Sequence, residues 1–328
     1  FDSEGDRSLI AVGAKTPAGS IDLRVRITAG PLATGADAWL VAGLMPGLRR
    51  GWDVRVAGQL SRRLAENAAR IREYCHARDA RFKHGALEFD VATAAPAVEG
   101  RGVGCFFSGG VDSFYSLLKH EREITHLIFV HGFDIQLEDR TLYARGLDGV
   151  RRACTAYGKS LIEVETNLRT YSDPLIDWDD YHGAAGAFVA HLLSTRLRKI
   201  FFAGGMTYQE WKPFGTNPFL LNLWSSEAVE FVGDGYEATR LQKIARVARS
   251  DMAMDVLRVC WENPGGQYNC GRCEKCLRTM VGLRLAGALD RCTAFDGTLD
   301  VDALARRRYV FLNPVVRRCW TEIQEELE

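Results

Sequence analysis

From Val103 to Gly204 short apolar runs alternate with helical stretches, and nothing else in this chain restricts its fold as much. The runs Val103–Phe107, Thr125–His131, Ser160–Glu165 and Lys199–Gly204 have strand character. Between them lie helical segments at Ser113–Glu121, Leu142–Tyr157 and Tyr181–Leu197. Strands joined through helices run parallel, with the helices packed on both faces of the sheet. The expected class is α/β, a Rossmann-like doubly wound parallel sheet. Ligands of such sheets bind beyond the carboxyl ends of the strands, so the loops after Phe107, His131, Glu165 and Gly204 should share one crevice.

A chain of 328 residues can hold more than one domain. Residues 1–100 read differently from the rest, with strands at Ser8–Val12, Ile21–Ile27 and Ala86–Val91. Leu60, Leu64, Ala68, Ile71 and Tyr74 share one helical face. The expectation is an α+β accessory domain over 1–100, closed by a loop at 92–102. An α/β nucleotide-binding domain over 101–258 and a cysteine-bearing helical region over 259–328 would follow.

Directly after the first strand of the alternation stands CFFSGGVDSFYSLLKH, Cys105 to His120. Gly109 and Gly110 allow a sharp turn whose N–H groups can approach a ligand closely. Ser108, Ser113 and the first amides of the following helix add donors, and the helix dipole adds positive charge. This suits a cradle for phosphate, the plainer alternative being a tight strand-to-helix turn in which Ser and Asp merely cap the helix. It is not G-x-x-x-x-G-K-[ST], G-x-G-x-x-G or G-x-S-x-G.

Nine cysteines are present, and Cys260, Cys270, Cys273 and Cys276 cluster as C-x9-C-x2-C-x2-C. Close C-x2-C pairs wrap thiolates round one ion, and a distant fourth cysteine completes a tetrahedron, which suits structural zinc. An iron–sulfur run of the ferredoxin type would want cysteine at 280, where Met280 stands. The other cysteines are scattered, which is no disulfide framework, and a reducing cytoplasm is the expected compartment. No run of apolar residues approaches the length that crosses a bilayer. Zero formal net charge gives no global field toward nucleic acid.

SGGVDS resembles the PP-loop, S-G-G-x-D-S, of the ATP pyrophosphatases in the adenine nucleotide α-hydrolase superfamily. With C-G-x-C-x-x-C downstream, the chain is similar to the 7-cyano-7-deazaguanine synthase branch from roughly Val103 to Ala288. The resemblance implies that Ser108, Gly109, Gly110, Val111 and Ser113 bind the departing pyrophosphate of ATP, with Asp112 helping to hold Mg²⁺. It places His131 to Asp134 near adenine and ribose, and Lys243 near phosphate. The implied reaction is adenylylation of a carboxylate or carbonyl oxygen, then attack by a nitrogen nucleophile, on a small carboxylate, a heterocycle such as a deazaguanine, or a protein partner. Relatives tend to be homodimers. The chain departs from the branch at Trp178-Asp179-Asp180-Tyr181-His182-Gly183 and at Gly204-Gly205-Met206-Thr207-Tyr208-Gln209-Glu210-Trp211, where substrate contacts are expected.

His182 opens the Gly/Ala-rich helix HGAAGAFVAHLL and can orient a substrate or move a proton near neutral pH, or simply pack. Two other readings stand beside the ligase. One is thiolation of a nucleobase in tRNA, and the other is a regulatory subunit that holds ATP without turning it over.

Overall fold

In the computed structural model, all residues are described except 1, 5–6, 18, 29, 94–100, 210–214, 296–298, 301, 303 and 305–313. Part of the expected 92–102 loop, and Glu210 and Trp211, therefore lie outside the described residues.

The chain opens with an antiparallel meander of β1 (Asp2–Glu4), β2 (Arg7–Thr16) and β3 (Gly19–Ile27). Then come α1 (Ala36–Arg50), β4 (Val54–Leu60), α2 (Arg62–Arg78) and β5 (Leu87–Val91), with β4 and β5 paired as a small parallel sheet. The alternating region follows as β6 (Gly102–Phe106), α3 (Val111–Lys119), β7 (His126–His131), α4 (Arg140–Tyr157) and β8 (Ser160–Thr166). It continues through α5 (Leu168–Ser172), α6 (Trp178–Leu192), β9 (Leu197–Ala203), α7 (Pro218–Leu223) and β10 (Glu230–Asp234). The remaining described α-helices are α8 (Arg240–Val247), α9 (Asp251–Val256), α10 (Glu274–Leu285) and α11 (Pro314–Leu327).

The main sheet has the order β1-β2-β3-β8-β7-β6-β9-β10. Its strands from β8 to β10 are parallel, as the strand–helix alternation requires. β6 is central, with Cys105 opposite Leu127 of β7 on one side and Phe201 of β9 on the other. The chain proceeds from β6 outward through β7 and β8, then returns to place β9 on the other side of β6. That reversal between β6 and β9 is a topological switch point, where open α/β sheets form their crevice.

Alternation along the strands feeds two cores. Ile128 and Val130 of β7 join one with α1, α2 and α6, while Leu127 and Phe129 join the other with α3, α4 and α8 to α10. The division expected at residue 100 does not divide the sheet or the core. β3 pairs with β8 through Val25 and Thr166, and α1 packs against α6 in the same apolar cluster as β7. The second strand also runs beyond the end expected at Val12, with residues 13–16 pairing within the β2–β3 hairpin.

Helix α1 was not expected, because Pro46 lies inside it and its buried side chains show no single-face period. Pro46 has no N–H to give Ala42, four residues back. The Tyr181 hydroxyl takes that place, donating to Ala42 O at 2.8 Å from α6. Close packing also explains the small residues of α6: a Cβ on Gly186 would lie 2.3 Å from the Phe202 ring, and one on Gly183 would lie 1.8 Å from Gly215 O. Among the described residues, no helix is long and apolar enough to cross a membrane.

Candidate active site and metal centre

The turn after β6 is held from behind. Gly109 has φ +77°, a left-handed conformation that suits glycine, and its carbonyl accepts from Arg258 N at 2.8 Å. Gly110 is the N-cap of α3, and no side chain caps that helix. The serines brace the turn: Ser113 Oγ donates to Gly110 O at 3.0 Å, and Gly110 N donates to Ser108 Oγ at 3.4 Å. A cavity of about 620 Å³ begins at this uncapped terminus, lined by Ser108, Gly110, Val111, Asp112 and Ser113. A helix N-terminus without a side-chain cap leaves amides that can bind an anion.

Asp112 is clamped between two cations. Arg240 Nη1 donates to one carboxylate oxygen at 2.9 Å, and Lys243 Nζ to the other at 3.1 Å. Lys243 is 2% exposed and also donates to Gly204 O at 2.7 Å. Burial opposes ionisation of Asp112, but Arg240, Lys243 and Lys275 outweigh it and hold the carboxyl below the usual carboxylate range. Arg240 was not expected at the site, yet it lines the crevice while gripping the loop's acid.

The far wall is cationic too. Arg258, Lys275 and Arg278 line the cavity, together with the exposed ring of Trp261. Arg278 pairs with Glu274 at 3.1 Å, and Glu274 accepts from Trp320 Nε1 of α11. Asp134 and Asp179 face the same space with exposed carboxylates. A second, more apolar lobe of about 510 Å³ shares Ser108, Asp112, Asp134 and Trp178 with the first. Phe106, Ile128, Val130, Phe202 and Met206 line it, at and beyond the carboxyl ends of β6, β7 and β9.

His182 lies at this apolar lobe, with Nδ1 near Trp178 O at 3.1 Å and Nε2 near Thr216 Oγ1 at 3.3 Å. Burial pushes its pKa down, so the neutral ring is favoured. His131 is placed differently. It is fully buried, stacks on Tyr143 at 4.1 Å and contacts Glu165 and Gln136 O, outside the residues that line either lobe. Gly204 is likewise behind the wall: a Cβ there would strike the Tyr236 ring at 2.2 Å, and its carbonyl anchors Lys243. The structure thus brings Ser108, Gly110, Val111, Asp112, Ser113 and Asp134 to one crevice, with Gly109 shaping the turn. It keeps Lys243 beneath Asp112 and sets His131 apart.

Cys260, Cys270, Cys273 and Cys276 converge, their sulfurs all within 4.8 Å of one another. The Cys260–Cys273 and Cys270–Cys276 sulfur pairs are 3.9 Å apart. Four sulfurs at about 2.3 Å from one ion would be separated by about 3.8 Å in a tetrahedron, so the group could hold a metal ion such as zinc. Backbone N–H groups point at the sulfurs: Asn263 N at Cys260, Cys273 N at Cys270 and Cys276 N at Cys273, at 3.2 to 3.4 Å. The hydrogen bond between Cys276 and Cys273 pushes the Cys273 thiol down and the Cys276 thiol up, so the cluster shares its protons as one group. Cys105 and Cys154 are core residues whose thiols burial pushes up, that of Cys154 to about 11.

Family models, curated proteins and solved structures compared with this chain give no match. The crevice residues that sequence reasoning missed are Arg240, Arg258, Lys275, Arg278 and Trp261. One signal was available: in CEKCLRTM, Lys275 and Arg278 fall three apart on a helix that begins at Glu274, just after its cap Cys273.

Proposed function

We propose that this chain is an ATP-dependent enzyme that adenylylates a carboxylate or carbonyl oxygen and passes the activated group to a nitrogen nucleophile, as in the 7-cyano-7-deazaguanine synthase branch it resembles. The observation that carries the reading is the uncapped N-terminus of α3 at a cavity that Arg240, Arg258, Lys275 and Arg278 also line, beside the sheet's switch point. In the reaction, an acceptor oxygen bonds the α-phosphorus as the α–β bridging bond breaks, and pyrophosphate leaves with that electron pair. The nucleophile then attacks the activated carbon, AMP departs, and one proton is lost from nitrogen.

On this reading the α3 amides, Ser108 and Ser113 receive the β- and γ-phosphates. Arg240, fixed by Asp112, presents charge to them. Mg²⁺ supplies neutralisation of the leaving charge when bound. Both Asp112 oxygens are taken by cations, so Asp134 and Asp179 suit that ion better. The four thiols suit structural zinc. The apolar lobe suits a small, flat acceptor, with His182 placed to orient it. Sulfur transfer has less support, since among the described residues the only cysteine lining the crevice is Cys260, a member of the thiol cluster.

Incubation with Mg-ATP, ammonia and a panel of acids that includes 7-carboxy-7-deazaguanine is expected to yield AMP and pyrophosphate in an acid-dependent way. Formation of ADP and orthophosphate in their place would remove the chain from this class.

A further inference from the structure

Among the described residues, two cations of the crevice form no ion pair, and Lys275 feels the charges of Asp134 and Asp112 only at longer range. Arg258 is 5% exposed, and among the described residues its Nε has no acceptor and its side chain makes only a long 3.5 Å hydrogen bond to Asn263 Oδ1. Among the described residues, no carboxylate lies within ion-pair distance of Arg258 or Lys275; Arg278, beside them, has Glu274. A desolvated guanidinium without an anion is costly, and a chain retains one where an anion is to arrive. Asp134, Asp179 and Glu262 also line the cavity, so the anion has to bring more charge than a single carboxylate to compete with them.

The placement narrows the ligand further. The Arg258 backbone is strapped to the turn, its N–H on Gly109 O and its carbonyl 3.3 Å from where a Gly110 Cβ would stand. Lys275 comes from a different element, the first turn of α10, and lines the same cavity as the α3 terminus. One orthophosphate at the α3 amides satisfies one wall. Two linked phosphoryl groups can engage the amides and the two free cations together.

Building on the adenylyl-transfer reading, we infer that Arg258 and Lys275 form the second half of a polyphosphate clamp, which makes this crevice selective for pyrophosphate over orthophosphate. Arginine in such a place grips two phosphate oxygens at once, whereas lysine offers a point charge.

Calorimetric titration of the full chain with Mg-ATP, pyrophosphate and orthophosphate tests this. Pyrophosphate should bind about tenfold or more tighter than orthophosphate, the worth of one added charge-assisted contact. Arg258→Gln and Lys275→Gln should each lose about tenfold in pyrophosphate affinity while keeping metal content and thermal midpoint, with Arg258→Lys intermediate. If Arg258→Gln fails to fold, Lys275→Gln carries the test, since its side chain is only partly buried. Unchanged pyrophosphate affinity in the folded variants overturns the clamp and leaves ATP use standing. A parent chain that binds neither Mg-ATP nor pyrophosphate overturns both readings.

Discussion

Replacing Asp112 by Asn should cost this protein about 3 kcal/mol of stability at neutral pH. The carboxylate serves two cations, Arg240 at 2.9 Å and Lys243 at 3.1 Å. Lys243 is 2% exposed, and its remaining acceptor is Gly204 O. An amide has one acceptor oxygen, so its NH₂ would face whichever cation is left over. Removing one partner of a buried ion pair typically costs about 3–5 kcal/mol, and the 23% exposure of the Asp112 side chain favours the lower end. Urea unfolding followed by tryptophan fluorescence reads this as a lower midpoint at constant slope. Adding Lys243→Met should recover part of the loss, a coupling of about 2 kcal/mol. The pH dependence has a definite sign. Arg240 and Lys243 depress the native pKa of Asp112, so its contribution is present above the unfolded value of about 3.9 and is lost as pH falls through the lower native value. The difference between parent and variant is therefore flat from about pH 5 upward and shrinks only in more acid solution. An Asp112→Asn protein within about 0.5 kcal/mol of the parent at pH 7, or a strictly additive double variant, would refute the clamp.

Two further outcomes follow from the packing and the thiol cluster. Tyr181→Phe strips the Ala42 carbonyl of the donor that stands in for Pro46, at about 1–3 kcal/mol, and Pro46→Ala should abolish most of that penalty by restoring an N–H; equal Tyr181→Phe penalties in both backgrounds, read by urea unfolding, would sink this account. Stripping metal with a chelator should speed amide hydrogen exchange at Asn263, Cys273 and Cys276, whose N–H groups point at the sulfurs, and unchanged exchange in verified metal-free protein would count against a bound ion.

The parallel sheet was legible because strand and helix periods alternate cleanly from β6 to β9, and the loop after β6 carries its own signature in Gly109, Gly110 and the serines. Helix α1 was not, since a proline inside a uniformly apolar stretch reads as a break unless the Tyr181 hydroxyl, far along the chain, is known to fill the gap. The N-terminal strands were legible as strands, but a period of two cannot say which sheet they join, and β3 pairs with β8. At the site, Asp112 read as a metal ligand from its motif, while the structure surrounds it with Arg240 and Lys243 from a helix that local sequence does not connect to the loop. His131 follows a strand end of the right kind, yet the ring turns into the core between Tyr143 and Glu165.

The four thiols and the crevice are parts of one construction. Arg258 stands two residues before Cys260, Lys275 directly before Cys276 and Arg278 two residues after it. Cys273 caps α10, its sulfur accepting from Cys276 N, so the cluster fixes where the first turn of that helix begins and where Lys275 and Arg278 project. Cys260 ties the loop 258–263 to the same point, and Arg258 N reaches from that loop to Gly109 O of the phosphate-type turn. Gathering the sulfurs thus sets the distance between the α3 amides and the cations that face the same cavity. For the anion proposed to bridge them, a misplacement of about 1 Å between these groups would weaken binding severely. On the proposed reading the cluster therefore positions the crevice's cations without lending it a catalytic atom, and those cations lie beside the cysteines rather than in the glycine-rich turn.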